Sequence, residues 1–68
     1  MSVYKIAEIV GTSDKSWEDA ATAAVNKARK SLRDLRVAEI TKLDLKLDDD
    51  GNVVAYRARV SLSFKYED

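Results

Sequence analysis

The stretch VVAYRARVSLSFKY, residues 53–66, decides the fold. In it Val54, Tyr56, Ala58, Val60, Leu62, Phe64 and Tyr66 alternate with Arg57, Arg59, Ser61, Ser63 and Lys65. Successive strand side chains point to opposite faces, so this period of two predicts a strand with one apolar and one polar face. Just upstream, Asp48-Asp49-Asp50-Gly51-Asn52 reads as a hairpin loop, with Asp-Gly as its strongest element. Residues 36–47 then supply the partner strand. Their alternation is imperfect, with Val37, Leu43, Leu45 and Leu47 on one face and Ala38 and Ile40 on the other.

Further upstream the period changes. Trp17, Ala21, Ala24, Ala28 and Leu32 are spaced by four, three, four and four, which is helical. Ser16 is a good N-cap with Asp19 three residues on, and Ser13 is a rival cap. Acidic Asp14, Glu18 and Asp19 crowd the start, and basic Lys27, Arg29, Lys30 and Arg33 crowd the end, both complementing the helix dipole. The Ala-rich stripe lets such a helix lie close against a sheet. Residues 3–10, rich in Val, Ile and Tyr, predict a first strand that stops at Gly11-Thr12-Ser13-Asp14. The order is β–α–β–β: one α+β domain over residues 1–68, a three-stranded antiparallel sheet on one helix.

The lengths do not match. A helix of about 16 residues spans roughly 24 Å, whereas strands of 12 to 14 residues span roughly 40–45 Å. The overhang, expected to include Phe64 and Tyr66, needs other subunits to finish its core. Size argues the same way. A domain of about 60 residues buries only about 60% of the surface its unfolded chain exposes, so small domains lean on disulfides, metals or association. The 68 residues contain no Cys and no His, which removes disulfides, thiolate sites and the commonest transition-metal ligand. Association remains, with an oxygen-ligated hard cation as a possible aid.

Twelve basic residues balance twelve acidic ones, unlike the positive excess of a nucleic-acid binder. No apolar run approaches the ~20 residues of a membrane span, and the N-terminus shows no signal-peptide pattern. The composition fits a cytoplasmic protein with neither nucleic acid nor membrane as partner. Catalysis is not expected either, because Glu8, Glu18 and Glu39 have no His or Cys to work with.

Several motifs together carry a family resemblance. They are Val3-Tyr4-Lys5-Ile6, Glu8-Ile9-Val10-Gly11-Thr12-Ser13, Ser16-Trp17-Glu18-Asp19-Ala20 and Ala28-Arg29-Lys30-Ser31-Leu32-Arg33, then Leu35-Arg36 with Glu39, Tyr56 and Phe64. Across nearly the whole chain this resembles the dodecins, whose sheet wraps one helix and whose twelve copies form a hollow sphere that in many members binds flavin. The resemblance implies a homododecameric binding or storage protein. Flavin-binding dodecins typically follow Leu-Arg with a Trp that stacks on the isoalloxazine, and place a Gln after the Tyr of the last strand. Here those positions hold Val37 and Arg57, which implies weak or absent flavin affinity and leaves a flavin-sequestering dodecin as the alternative.

The Trp-less branch of the family is associated with calcium instead. Asp48, Asp50 and Asn52 resemble the start of an oxygen-ligand loop, and Asp44 adds a nearby carboxylate. The loop lacks the bidentate Glu that an EF-hand places at its twelfth position, so a polar hairpin turn is the competing reading. A symmetry axis could also gather one or two carboxylates per subunit. Trp17 reads as a packing anchor. Lys27, Arg29, Lys30, Arg33 and Arg36 read as a solvated helix end, with phosphate or RNA contact as the alternative.

Overall fold

The computed structural model describes residues 1–66. Strand β1 (Tyr4–Ser13) leads into helix α1 (Trp17–Ala28), followed by β2 (Leu35–Leu47) and β3 (Val53–Lys65). The sheet order is β1-β3-β2 with both pairings antiparallel, so the strand of cleanest alternation is the central one. The α+β class and the β–α–β–β order agree with the sequence.

Helix α1 lies on one face of the sheet. Ala20, Ala21 and Ala24 pack on Ala58, Val60 and Leu62 of β3, with Ile9, Val25, Ala28, Leu32 and Leu35 partly buried around them. Small helix residues allow the close approach, and Gly11 completes it. A Cβ at Gly11 would collide with the Ala20 carbonyl oxygen and come within 2.9 Å of the Ala24 Cβ. Gly11 therefore stands inside β1, pressed against the helix. The expected stop after Val10 is corrected: β1 runs on to Ser13, and the chain reverses at Asp14 and Lys15.

Ser16 is the N-cap of α1, and its rival Ser13 braces the turn that precedes the helix. The Ser16 hydroxyl accepts from the Asp19 N–H at 3.0 Å, while the Ser13 hydroxyl accepts from the Lys15 N–H and donates to the Asp19 carboxylate. The helix ends at Ala28, four residues before the expected Leu32. Its last carbonyls are taken by the following turn, where the Ser31 and Leu32 N–H groups both donate to the Ala28 oxygen.

Two expectations about faces change. A register shift between Ile40 and Lys42 inserts one extra residue, Thr41, into β2. Beyond it Leu43 and Leu45 pair with Ala58 and Tyr56, on the same face as Ile40, which pairs with Val60. Val37 pairs with Ser63 and lies on the opposite face. Simple parity had grouped Val37 with Leu43 and Leu45, and a bulge reverses parity. The overhang is also at the other end. Strand β1 stops opposite Tyr56, so the hairpin tip with Leu47, Val53 and Val54 projects alone, while Phe64 lies half-buried opposite Leu35 and Tyr66 is exposed as expected. The long axis reaches 50 Å, against a helix whose 12 residues span about 18 Å.

Candidate functional site

Helix α1 sits over β1 and β3 and barely touches β2. The helix-side face of β2 is consequently open, with Ile40, Leu43 and Leu45 between 41% and 51% exposed. Val10, Ile6 and Val37 add exposed apolar surface on the other face. Large apolar patches of this kind mark surfaces that another molecule covers.

The two positions that correspond to a flavin slot do not meet within one chain. Val37 stands opposite Ser63 and Arg57 opposite Asp44, six residues apart along β3, or about 20 Å at ~3.3 Å per residue. Both lie on the face of the sheet away from the helix. The Arg57 guanidinium forks onto Asp44, with Nε 2.6 Å from Oδ1 and Nη2 2.9 Å from Oδ2. This bidentate bond and its opposite charge raise the Arg57 pKa further and hold the Asp44 carboxyl below the usual carboxylate value. Arg57 is thus oriented towards Asp44, in an exposed pair that water can still reach.

Asp44 is also held through its backbone. The Trp17 indole Nε1–H donates to the Asp44 carbonyl at 3.1 Å, and the indole meets the Tyr56 ring edge-on with centroids 5.2 Å apart. Trp17 is the packing anchor expected of it, and its target is the base of the projecting hairpin. No sequence pattern points to the Trp17–Asp44 contact, which spans 27 positions. The Asp44–Arg57 pair could have been found, since opposite charges in facing strands are a cross-strand pairing signal. It needed the register set by the irregularity between Lys46 and Leu47, which no local pattern marks.

In the hairpin loop Asp48 faces inward. Its Oδ1 accepts from the backbone N–H groups of Asp50 and Asn52, both at 2.9 Å, and its Oδ2 accepts from the Asn52 side chain at 3.3 Å. These donors, led by the Asn52 N–H, hold the Asp48 carboxyl below its ordinary value. Gly51, at φ 83°, supplies the left-handed step of the turn. Asp48 and Asn52 are brought together, and Asp50 contributes its backbone. Asp44 is not part of that group, being engaged with Arg57. Among the described residues no three carboxylates converge closely enough within one chain to hold a metal ion. None of the described helices is long and apolar enough to cross a membrane.

The dodecin family model matches residues 3–67 of the chain. The calcium dodecin of Mycobacterium tuberculosis is 48% identical over 65 residues, covering 96% of this chain and 90% of that protein. The dodecin of Thermus thermophilus is 36% identical over 66 residues, covering 97% and 94%. The crystal structure of the M. tuberculosis protein, described as calcium-chelating with a novel calcium-binding site, superposes with a TM-score of 0.83 at 45% identity, covering 97% of this chain and 93% of that one.

Proposed function

The chain belongs to the dodecin family, and on that premise we propose that it is one subunit of a hollow homododecamer that binds calcium and has weak or no affinity for flavin. The observation that carries the assembly is the open apolar face of β2, with Ile40, Leu43 and Leu45 half-exposed. A 68-residue chain that leaves so much aliphatic surface wet has its core completed by copies of itself. The protein is a cytoplasmic binding or storage protein with no catalytic role, in keeping with a sequence that lacks both His and Cys.

Weak flavin binding follows from Val37 and Arg57. An aromatic stack contributes ~0.5–1.5 kcal/mol beyond area burial, and a slot between symmetry-related subunits would lose one on each shared face. Two such losses weaken binding by one to two orders of magnitude, at about 1.4 kcal/mol per factor of ten. Arg57 pairs with Asp44 and brings a charge, where the flavin-binding members place a neutral amide, to the flavin edge.

Calcium is supported by the similarity to a calcium dodecin and by the oxygen-rich loop of Asp48, Asp50 and Asn52. Calcium takes 6–8 oxygen ligands, more than one such loop offers, so further oxygens would come from neighbouring subunits or water. Light scattering and a calcium titration of thermal stability test the proposal together. The expected particle has about twelve times the 7.6 kDa mass of the chain and melts higher with calcium. Asp48→Asn keeps an oxygen for the turn but removes the charge. That variant and Asp50→Asn should lose the calcium response while keeping the mass. A monomer as the main species would overturn the assembly, and unchanged melting in calcium would overturn the cation reading.

A further inference from the structure

The tip of the β2–β3 hairpin carries a reactive step between Asp50 and Gly51. We propose that this step closes spontaneously to a cyclic imide and reopens as isoaspartate, which makes residue 50 a slow modification site of the hairpin. The chemistry uses the loop named in the calcium reading but does not rest on that reading.

The reaction is internal to the chain. The Gly51 backbone nitrogen attacks Asp50 Cγ, and the Gly51 N–H proton leaves with the carboxyl hydroxyl as water. Water then adds to one of the two carbonyl carbons of the imide. Breaking the bond from nitrogen to Cγ restores aspartate. Breaking the bond from nitrogen to the main-chain carbonyl carbon routes the chain through Cβ and Cγ, which is isoaspartate. Nothing is oxidised or reduced, and the composition is unchanged.

Two requirements select Asp50 among the aspartates. The attacking nitrogen must be unhindered, and a following glycine has no side chain to crowd it. Asp14, Asp19, Asp34, Asp44, Asp48 and Asp49 precede Lys, Ala, Leu, Leu, Asp and Asp, so only Asp50 precedes glycine. The carboxyl must also be free to swing. Asp44 is held by Arg57, Asp48 by the N–H groups of Asp50 and Asn52, Asp19 by the Ser13 hydroxyl and Asp34 by Arg36. The Asp50 carboxylate has no hydrogen bond or ion pair among the described residues. The surroundings leave room as well. Residues 48–52 are exposed, and a Cβ built at Gly51 would meet nothing within 4 Å. One backbone bond restrains the nucleophile, the Gly51 N–H donating to the Asp48 carbonyl at 3.0 Å, and exposed loops open locally at low cost. The asparagines are worse placed, because Asn26 lies inside α1 and Asn52 precedes β-branched Val53.

Isoaspartate lengthens the main chain by one carbon between the Asp50 N–H and Gly51. The Asp48 carboxylate accepts from N–H groups on both sides of that point, so it no longer holds both. The bond from the Asp48 N–H to the Asn52 oxygen, which closes the loop at 2.9 Å, is displaced with them. The modification therefore loosens the turn.

Ageing the whole assembled protein in buffer made with heavy-oxygen water tests this. Trypsin, cutting after Lys46 and Arg57, then releases residues 47–57. The aged sample should yield a second, chromatographically resolved form of that peptide, heavier only by the exchanged oxygen, with fragmentation placing it at residue 50. Its melting temperature should fall as this form accumulates. Asp50→Glu should lose the form, because the larger ring closes far more slowly. Asp48→Ala removes the carboxylate that ties Asp50 to Asn52 and should speed the conversion, and the parent unfolded in urea should convert faster still. Heavy oxygen absent from residue 50 in the aged parent, present equally at Asp48 or Asp49, or undiminished in Asp50→Glu would overturn the proposal. Conversion at one rate in the folded parent, the Asp48→Ala variant and the unfolded chain would overturn the part assigned to the turn.

Discussion

A side chain at position 11 has nowhere to go. Gly11 is buried with the Ala20 carbonyl against it and the Ala24 methyl beyond, and a backbone atom cannot swing aside as a side chain would. Gly11→Ala should push α1 off the sheet and lower stability by about 1–3 kcal/mol, the usual cost of overpacking; urea denaturation at fixed protein concentration measures it. The glycine was visible in the sequence, but its role was not. A Gly next to Thr-Ser-Asp reads as a turn, and only the packing of two distant alanines shows it as a contact. Asp48 presents the reverse case, because its turn role was one of two readings the sequence left open. Its folded-state pKa lies below the ordinary 3.8, so its contribution to stability is complete above that value and is lost as pH falls through the lower folded value. Asp44 titrates in the same direction. Replacing Asp48 by Asn should therefore flatten part of the acid limb of a melting-temperature profile. Near neutral pH the variant should melt somewhat lower than the parent, since the charge that strengthens the bonds from Asp50 and Asn52 is missing there, and the two should converge as the parent's carboxylate is protonated.

At the scale of elements, alternation made β3 and the hairpin legible, because a strand buried on one face has to repeat every two residues. The two faces of β3 give a direct test. Leu62 is fully buried, and Leu62→Asp should abolish folding or assembly, since an unpaired buried charge costs several kcal/mol. Ser61, one residue away on the opposite face, stands between Glu8 and Glu39. Ser61→Lys should be tolerated there, its ammonium flanked by two carboxylates. Circular dichroism and light scattering on the pair would show it, and equal behaviour of the two variants would mean the faces are misassigned. The helix and β2 were less legible for identifiable reasons. Leu32 continues the helical spacing, yet it packs from the turn after α1, so a periodic apolar residue survived the end of the period. Thr41 broke the parity of β2, and the bulge that holds it depends on sheet twist and on its partner strand. Its hydroxyl reaches the Arg59 carbonyl at 3.3 Å, a contact no local pattern encodes.

For the whole molecule, the separation of Val37 from Arg57 sets a condition on any flavin slot. The sequence placed both residues by resemblance, and nothing in a linear pattern could say that about 20 Å of strand, six residues at ~3.3 Å each, lies between them. If both positions line one slot, they come from different subunits, and binding depends on assembly. Val37→Trp with Arg57→Gln should then restore flavin binding, read as quenching of flavin fluorescence by the new indole. Removing Arg57 frees the Asp44 carboxylate, which is exposed and can turn to water, while the Trp17 bond to the Asp44 carbonyl is backbone-directed and stays. The restored binding should disappear when Leu43→Asp is added. Leu43 is half-exposed on the open face of β2 and touches neither slot position, so its charge acts on the subunit contact and not on the ligand. Light scattering on the same samples should show the double variant as the large particle and the triple variant as small species. Quenching that persisted in dissociated triple variant would mean that a single chain makes the slot. Absence of quenching in an assembled double variant would mean that the slot's backbone differs from that of the flavin-binding dodecins, and would leave the cation as the ligand around which this shell is built.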